Sequence, residues 1–181
     1  MCALGPILRG ERISLEPPRL EDLSTYRSWL ANLEITRFLV MRFVPSEQQE
    51  EEWYERVSKG NEHVVWRIVA DDQTIGNTGI HAIDWMHRHG ETGLMIGERS
   101  AWGKGYAREA VKLRTAYAFE ELGLERLGSE SFVENEAMHR ALEKSGYQKI
   151  GTKRHVVYGG GAWHDLYVFE LLRDDWLARP H

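Results

Sequence analysis

The stretch Trp102-Gly103-Lys104-Gly105-Tyr106-Ala107 constrains this chain more than any other. It follows the apolar run Leu94-Met95-Ile96 and opens a series of apolar or small residues at helical spacing: Tyr106, Ala107, Ala110, Val111, Leu113, Tyr117, Ala118 and Leu122. The order is strand, glycine turn, helix. Two glycines let the backbone approach a ligand closely, and the start of the helix offers unpaired N–H groups and the positive end of its dipole to an anion. A phosphate is the expected guest.

Elimination narrows the ligand. A nucleoside-triphosphate loop needs a glycine five residues before the Gly-Lys pair and a hydroxyl residue after it; Glu98 and Gly105 stand there instead. A dinucleotide fingerprint read from Gly103 puts Arg108 where its third glycine belongs. What remains is the pattern Gln/Arg-x-x-Gly-x-Gly/Ala, matched from its fourth position by Gly105-Tyr106-Ala107. That turn resembles the acyl-CoA loop of GNAT-type N-acyltransferases.

The resemblance extends through most of the chain. Phe119-Glu120-Glu121-Leu122-Gly123-Leu124, Asn135-Glu136-Ala137, Glu143-Lys144-Ser145-Gly146-Tyr147 and Asp165 are similar to the RimJ/RimL branch of that family. Three positions depart from the pattern. Trp102 stands in place of Gln or Arg, Met138 in place of a serine common in the branch, and Leu142 where many relatives have an acid tyrosine. The first is compatible with a loop that binds through backbone amides.

The resemblance implies a three-layer α/β (α+β) domain over residues 1–181, with a mixed, mainly antiparallel sheet of about seven strands and helices on both faces. It implies acetyl-CoA as co-substrate, direct attack by a primary amine, and a backbone N–H of the strand before the loop holding the oxyanion. The implied cofactor-binding residues are Met95, Ile96, Trp102, Gly103, Lys104, Gly105, Tyr106, Ala107 and Arg108, joined by Asn135 and Arg140. Asn135 is equally well read as the N-cap of a short helix, and Arg140 as half of a surface salt bridge. Lys104 reaches a phosphate or is simply solvated.

For the proton taken from the amine, Glu91 is the first candidate, because it begins the strand that ends in the glycine turn. Asp84 and His81 on the preceding strand are the alternatives. A Glu91 that only binds the ammonium, or pairs with Arg88, is the competing reading. Tyr147 and Ser145 lie near the place of the expected acid, and water is the other donor. His87 and His89 share one face of an extended chain, but no further His/Cys cluster accompanies them, so a solvated loop and no metal are expected.

Local patterns fill in the remaining elements. Arg12 to Glu16 alternates as a strand, Pro17-Pro18 stops it, and Leu20, Leu23, Tyr26 and Leu30 continue at helical spacing. Ser46-Glu47-Gln48-Gln49 reads as a capping box, opening a polar helix with Trp53, Tyr54 and Val57 on one side. These helices and the connection 32–45 border the acceptor site in the family. Strands follow at 63–70, 74–86, 91–96 and 126–133, then a short helix around Ala137 to Leu142. A closing hairpin takes in about 147–157 and 163–172, and its Trp163, Tyr167 and Phe169 predict an apolar face for a homodimer.

Composition excludes several classes. The chain has 181 residues, 42% hydrophobic, with a net charge of −5 and a pI near 5.9, so nothing draws it generally to nucleic acid. Its single cysteine, Cys2, forbids an intrachain disulfide and fits a reducing compartment. No run approaches the roughly 18 apolar residues of a membrane span, and the opening Met1 to Gly10 lacks a signal-peptide core. A cytoplasmic enzyme is expected, acting on a protein N-terminus, polyamine, aminoglycoside or amino sugar. A non-catalytic acyl-CoA-binding module is the rival, made credible by Met138 and Leu142.

Overall fold

Eight strands make one sheet in the computed structural model, which describes residues 4–179. In chain order the elements are β1 (Leu8–Arg9), β2 (Ser14–Glu16), α1 (Asp22–Leu30), α2 (Leu33–Thr36), α3 (Glu47–Lys59), β3 (Val64–Ala70), β4 (Gln73–Asp84) and β5 (His89–Ile96). A 3-10 turn at Arg99–Ala101 leads to α4 (Tyr106–Glu120), β6 (Arg126–Phe132), α5 (Glu136–Lys144), β7 (Gln148–Gly159), β8 (Ala162–Leu172) and α6 (Arg173–Leu177). Among the described residues no helix is long and apolar enough to cross a membrane. Cys2 lies outside the described residues.

The sheet runs β1-β2-β3-β4-β5-β6-β8-β7, and every neighbouring pair is antiparallel except β5 with β6. Alternation decides which side chain faces which layer. On one face Val64, Trp66, Ile68 and Ile80 meet Ala110, Val111, Ala118 and Phe119 of α4, with Leu142 of α5 and Trp176 of α6 in the same core. On the other, Met95 packs with Leu23, Tyr26 and Trp29 of α1 and with Trp53 and Tyr54 of α3. β3 is buried along its whole length, as a strand apolar on both faces should be.

The capping box at α3 forms as its sequence requires: the Ser46 hydroxyl accepts from Gln49 N–H, and the Gln49 side chain accepts from Ser46 N–H. Three features differ from expectation. The sheet gains β1, a two-residue strand too short to leave a periodic signal. α1 starts at Asp22, four residues past the proline pair, where the Asp22 carboxylate accepts from Arg19 N–H. Third, Trp163, Tyr167 and Phe169 do not make a free apolar face. Phe169 is buried in the core and Tyr167 packs against it, and the His139 ring of α5 lies 5.1 Å from Tyr167 and 5.6 Å from Phe169; of the three, Trp163 alone is exposed.

β5 holds the architecture together by being shared unequally. It pairs with β4 from Glu91 to Ile96 but with β6 only from His89 to Thr92, so the two central strands part beyond Thr92 and Ser129. Gly97, just after β5, lies against the buried ring of Trp29, and a Cβ there would collide with it. Gly97→Ala should therefore lower stability by about 1–3 kcal/mol, read as a fall in the urea midpoint at unchanged slope. A midpoint equal to wild type would show that Trp29 does not hold α1 to this strand.

Candidate active site

The parting of β5 and β6 opens a cleft of about 460 Å³. One wall is Leu94, Met95 and Ile96; another is the glycine turn with the first turn of α4; a third is the start of α5 from Asn135 to Ala141. Gly103 and Gly105 have φ of +75° and +83°, a left-handed conformation costly for any residue with a Cβ. A Cβ at Gly103 would touch no protein atom within 4 Å, so that glycine borders open space.

Neighbouring groups fix the turn's shape. Arg12 N–H and Nε donate to Glu109 of α4 at 2.9 and 3.1 Å, and Arg12 Nη1 donates to the Lys104 carbonyl at 2.7 Å. Trp102, where the family pattern has Gln or Arg, donates its indole N–H to the Ile96 carbonyl at 2.9 Å and so closes the corner between strand and turn. No side chain caps α4. Its first intrahelical bond runs from Glu109 N–H to Gly105 O, which leaves the amides of 106–108 without an intrahelical acceptor.

Ten of the eleven residues expected at the cofactor border this cleft: Met95, Ile96, Trp102, Gly103, Gly105, Tyr106, Ala107, Arg108, Asn135 and Arg140. Lys104 does not; it contributes its carbonyl to Arg12 instead. Asn135 caps α5, accepting from Met138 N–H at 3.2 Å, and also lines the cleft. Arg140 pairs with Glu136 at 3.1 Å and lines it too. With Arg37, Arg108 and Lys144, Arg140 makes the lining cationic against the single carboxylate of Glu34, an electrostatic match for a polyphosphate on a chain that is acidic as a whole. Arg37 and Lys144 carry no sequence signal of this role, since only the fold brings α2 and the end of α5 to the turn.

Strand parity says what the open edge of β5 offers. Gly97 N–H donates to Ile75 O at 2.9 Å, and Gly76 faces Ile96 in register. Alternation then turns the peptide groups of Gly93 and Met95 toward β4 and those of Leu94 and Ile96 toward the parting. An extended amide-bearing arm can pair there as an added strand does. Behind this edge the fully buried Arg114 of α4 donates from Nη1 to Thr78 Oγ1 at 2.7 Å and to the Gly93 carbonyl at 2.8 Å.

A second cavity, of about 340 Å³, lies on the α1/α3 face and shares Leu39, Leu94 and Met95 with the first. Tyr26, Trp53, Glu50, Asn77 and His81 border it. Of the three candidate bases, His81 alone borders either of these two cavities; its ring lies over Gly79, whose Cβ would come within 2.8 Å. Burial, with the neighbouring His63 and Arg114, holds its pKa down at about 4, so it is neutral at pH 7. Glu91 faces His81 across the ladder, but its side chain is 50% exposed, lies over Gly128 and stands 3.7 Å from Arg126.

Asp84 sits at the β4–β5 hairpin, where hydrogen bonds from the His87 amide and ring lower its pKa to about 2. Its carboxylate, His87 and His89 lie within 4.8 Å of one another, a grouping the His87/His89 spacing alone does not reveal because Asp84 arrives from the other strand. The two acid candidates are held away from the cleft lining: Tyr147 is buried with its hydroxyl 3.2 Å from Thr115, and the Ser145 hydroxyl donates to the Ala141 carbonyl at 2.7 Å.

Comparison with known proteins agrees with this geometry. The sequence model of the acetyltransferase (GNAT) domain matches residues 12–148. The chain is 30% identical over 173 residues to the uncharacterized N-acetyltransferase YoaA of Bacillus subtilis, spanning 93% of this chain and 97% of that one. It is 28% identical over 174 residues to the uncharacterized N-acetyltransferase p20 of Bacillus licheniformis, with the same coverage. In fold it superposes on the spermidine N-acetyltransferase of Vibrio cholerae, solved with CoA and spermine, at TM-score 0.86 and 21% identity, over 93% of this chain and 99% of the other. Cleft, glycine turn and match together make the chain a member of the GNAT acetyltransferase family, with acetyl-CoA as its co-substrate.

Proposed function

We propose that this chain, as a single domain over residues 1–181, transfers an acetyl group from acetyl-CoA to the nitrogen of a small-molecule primary amine. The observation that carries this reading is the meeting of two cavities at Leu39, Leu94 and Met95. One is cationic and borders the glycine turn; the other is lined mainly by aromatic and aliphatic groups and holds one carboxylate. The Vibrio cholerae spermidine N-acetyltransferase, similar in fold, also favours a small amine. Protein N-termini are the acceptor that the RimJ/RimL-like motifs favour, and a second copy on the exposed Trp163 end of the hairpin belongs to the same resemblance.

Acetyl-CoA, when bound, supplies the activated acyl carbon. The proposed cradle is the turn 103–108 for the pyrophosphate, Arg37, Arg108, Arg140 and Lys144 for charge, and Asn135 with the β5 edge for the arm. Leu94 N–H is the proposed donor to the oxyanion, because it faces the parting at the junction of the cavities. Arg114 strengthens it. A guanidinium on the Gly93 carbonyl draws electron density through the 93–94 peptide and makes the N–H at its other end more acidic.

An alkylammonium, with a pKa of about 10, must lose a proton before it attacks. His81 Nε2 is the proposed first acceptor and Glu91, its cross-strand neighbour, the group that passes the proton to solvent. The imidazole is too weak a base to keep the proton, so the relay needs its solvent end. After attack the nitrogen gives up its second proton and the leaving thiolate, whose acid has a pKa of about 8.5, takes one up, both exchanged through water.

Release of free thiol on adding amine, with mass detection of the acetylated product, tests the reading. Thiol release independent of amine, with acetyl-CoA still bound, would make the chain a binding module. Within the active enzyme, His81→Gln and Glu91→Gln should each lower kcat by about 10²-fold, with acetyl-CoA affinity unchanged. The double variant should be no slower than the worse single one, as for groups that act as a unit. Wild-type turnover in either single variant would remove that residue from the relay.

A further inference from the structure

The acceptor cavity carries one counter-charge. Among its lining residues Glu50, at the start of α3, is the single carboxylate, and no lysine or arginine joins it. Glu50 is buried, and burial raises its pKa above the ordinary carboxylate range, with Arg27 opposing. Close by, the Tyr26 hydroxyl is buried with no hydrogen-bond partner among the described residues, and burial pushes its pKa up as well. A buried carboxylate and a buried hydroxyl, both bordering one cavity, are costly unless something completes them.

Apart from Asn77, Thr78 and the neutral His81 on the sheet, the rest of the lining is mainly apolar. Leu30, Leu39, Val65, Leu94 and Met95 form walls, and Trp53 stands edge-on to Tyr26 at 6.2 Å between ring centres. The rim is apolar too: Val40 and Met41 border the cavity while largely exposed, and Phe43 and Val44 continue that strip. Two other carboxylates on this face already have a cationic partner, since Arg67 Nη2 meets Glu16 at 2.6 Å and Arg67 Nη1 stands 3.6 Å from Asp22. A polyamine or an aminoglycoside brings several positive charges, each needing a carboxylate or water once bound. This cavity offers one carboxylate among mainly apolar walls.

Resting on the acetyltransferase reading, we infer that the acceptor is a small primary amine with a single positive charge and an apolar, ring-sized body, its ammonium met by Glu50 and Tyr26 and its body lodged against Trp53 and the 40–44 strip. The ammonium completes the two buried polar groups. The ring replaces water against Trp53, Leu39 and Val40, and aromatic walls favour a cation beside them. Such a molecule differs from the spermidine that names the Vibrio cholerae protein and from the spermine in its complex.

The test compares 2-phenylethylamine, spermidine, kanamycin and a peptide N-terminus as acceptors, together with Glu50→Gln. 2-Phenylethylamine should show a kcat/KM at least about tenfold above spermidine and kanamycin, a discrimination of about 1.4 kcal/mol. Glu50→Gln, which removes a buried charge, should fold and lower kcat/KM for 2-phenylethylamine about tenfold with the acetyl-CoA KM little changed. Preference for spermidine, kanamycin or the peptide, or an unaltered kcat/KM for 2-phenylethylamine in Glu50→Gln, overturns the inference and leaves the transferase reading standing. Thermal stabilisation of the CoA-loaded protein by 2-phenylethylamine, lost in Glu50→Gln, supports the pocket without turnover. No turnover with any amine then counts against the transferase reading alone.

Discussion

The separation of β5 from β6 after Thr92 is the constraint on which the site depends. A fully paired strand would spend both edges of residues 93–96 on its neighbours and leave no groove between the sheet's halves. Released on one side, β5 turns the peptide groups of Leu94 and Ile96 into the opening while β4 holds the other edge in register. The cleft beside the glycine turn lies along this parting, and the second cavity reaches Leu94 and Met95 from the α1/α3 face.

Keeping such a strand in place requires support from both layers. On one face Arg114 fastens the Gly93 carbonyl and Thr78 from within the core; on the other, Met95 and Gly97 receive α1 through Trp29. Burying a guanidinium is costly, and burial lowers the Arg114 pKa accordingly. That cost is consistent with a polar group retained where strand position and peptide polarisation both matter, whereas a hydrophobic side chain would only fill space. The turn is fastened in the same spirit, with Arg12 reaching from before β2 to Glu109 and the Lys104 carbonyl.

What could be read from the sequence was what local patterns encode. The glycine turn, the capping box of α3 and the doubly apolar β3 each announce themselves within a few residues, and the family motifs ordered them into the correct fold. Groups assembled by long-range packing left no such mark. Arg37 and Lys144 come to the cleft from the ends of α2 and α5; Glu50 looks like one more charge on a polar helix until the fold buries it beside the second cavity. The Trp163/Tyr167/Phe169 alternation was visible, but that α5 covers two of the three was not, since it depends on where His139 packs. Glu91 and His81 look equivalent along the chain, and only the fold separates one at the surface from one in a cavity.

Gly103 gives the most direct test that the turn is where CoA binds. A Cβ at this position meets no protein atom, so Gly103→Ala should cost no more than about 1–2 kcal/mol of backbone strain and leave the protein folded. The same Cβ would project into the cleft beside the turn amides. Isothermal calorimetry of CoA with wild type and Gly103→Ala should show affinity lost by tenfold or more, about 1.4 kcal/mol, in a protein whose melting curve remains cooperative. An unchanged CoA affinity in that folded variant would contradict the account.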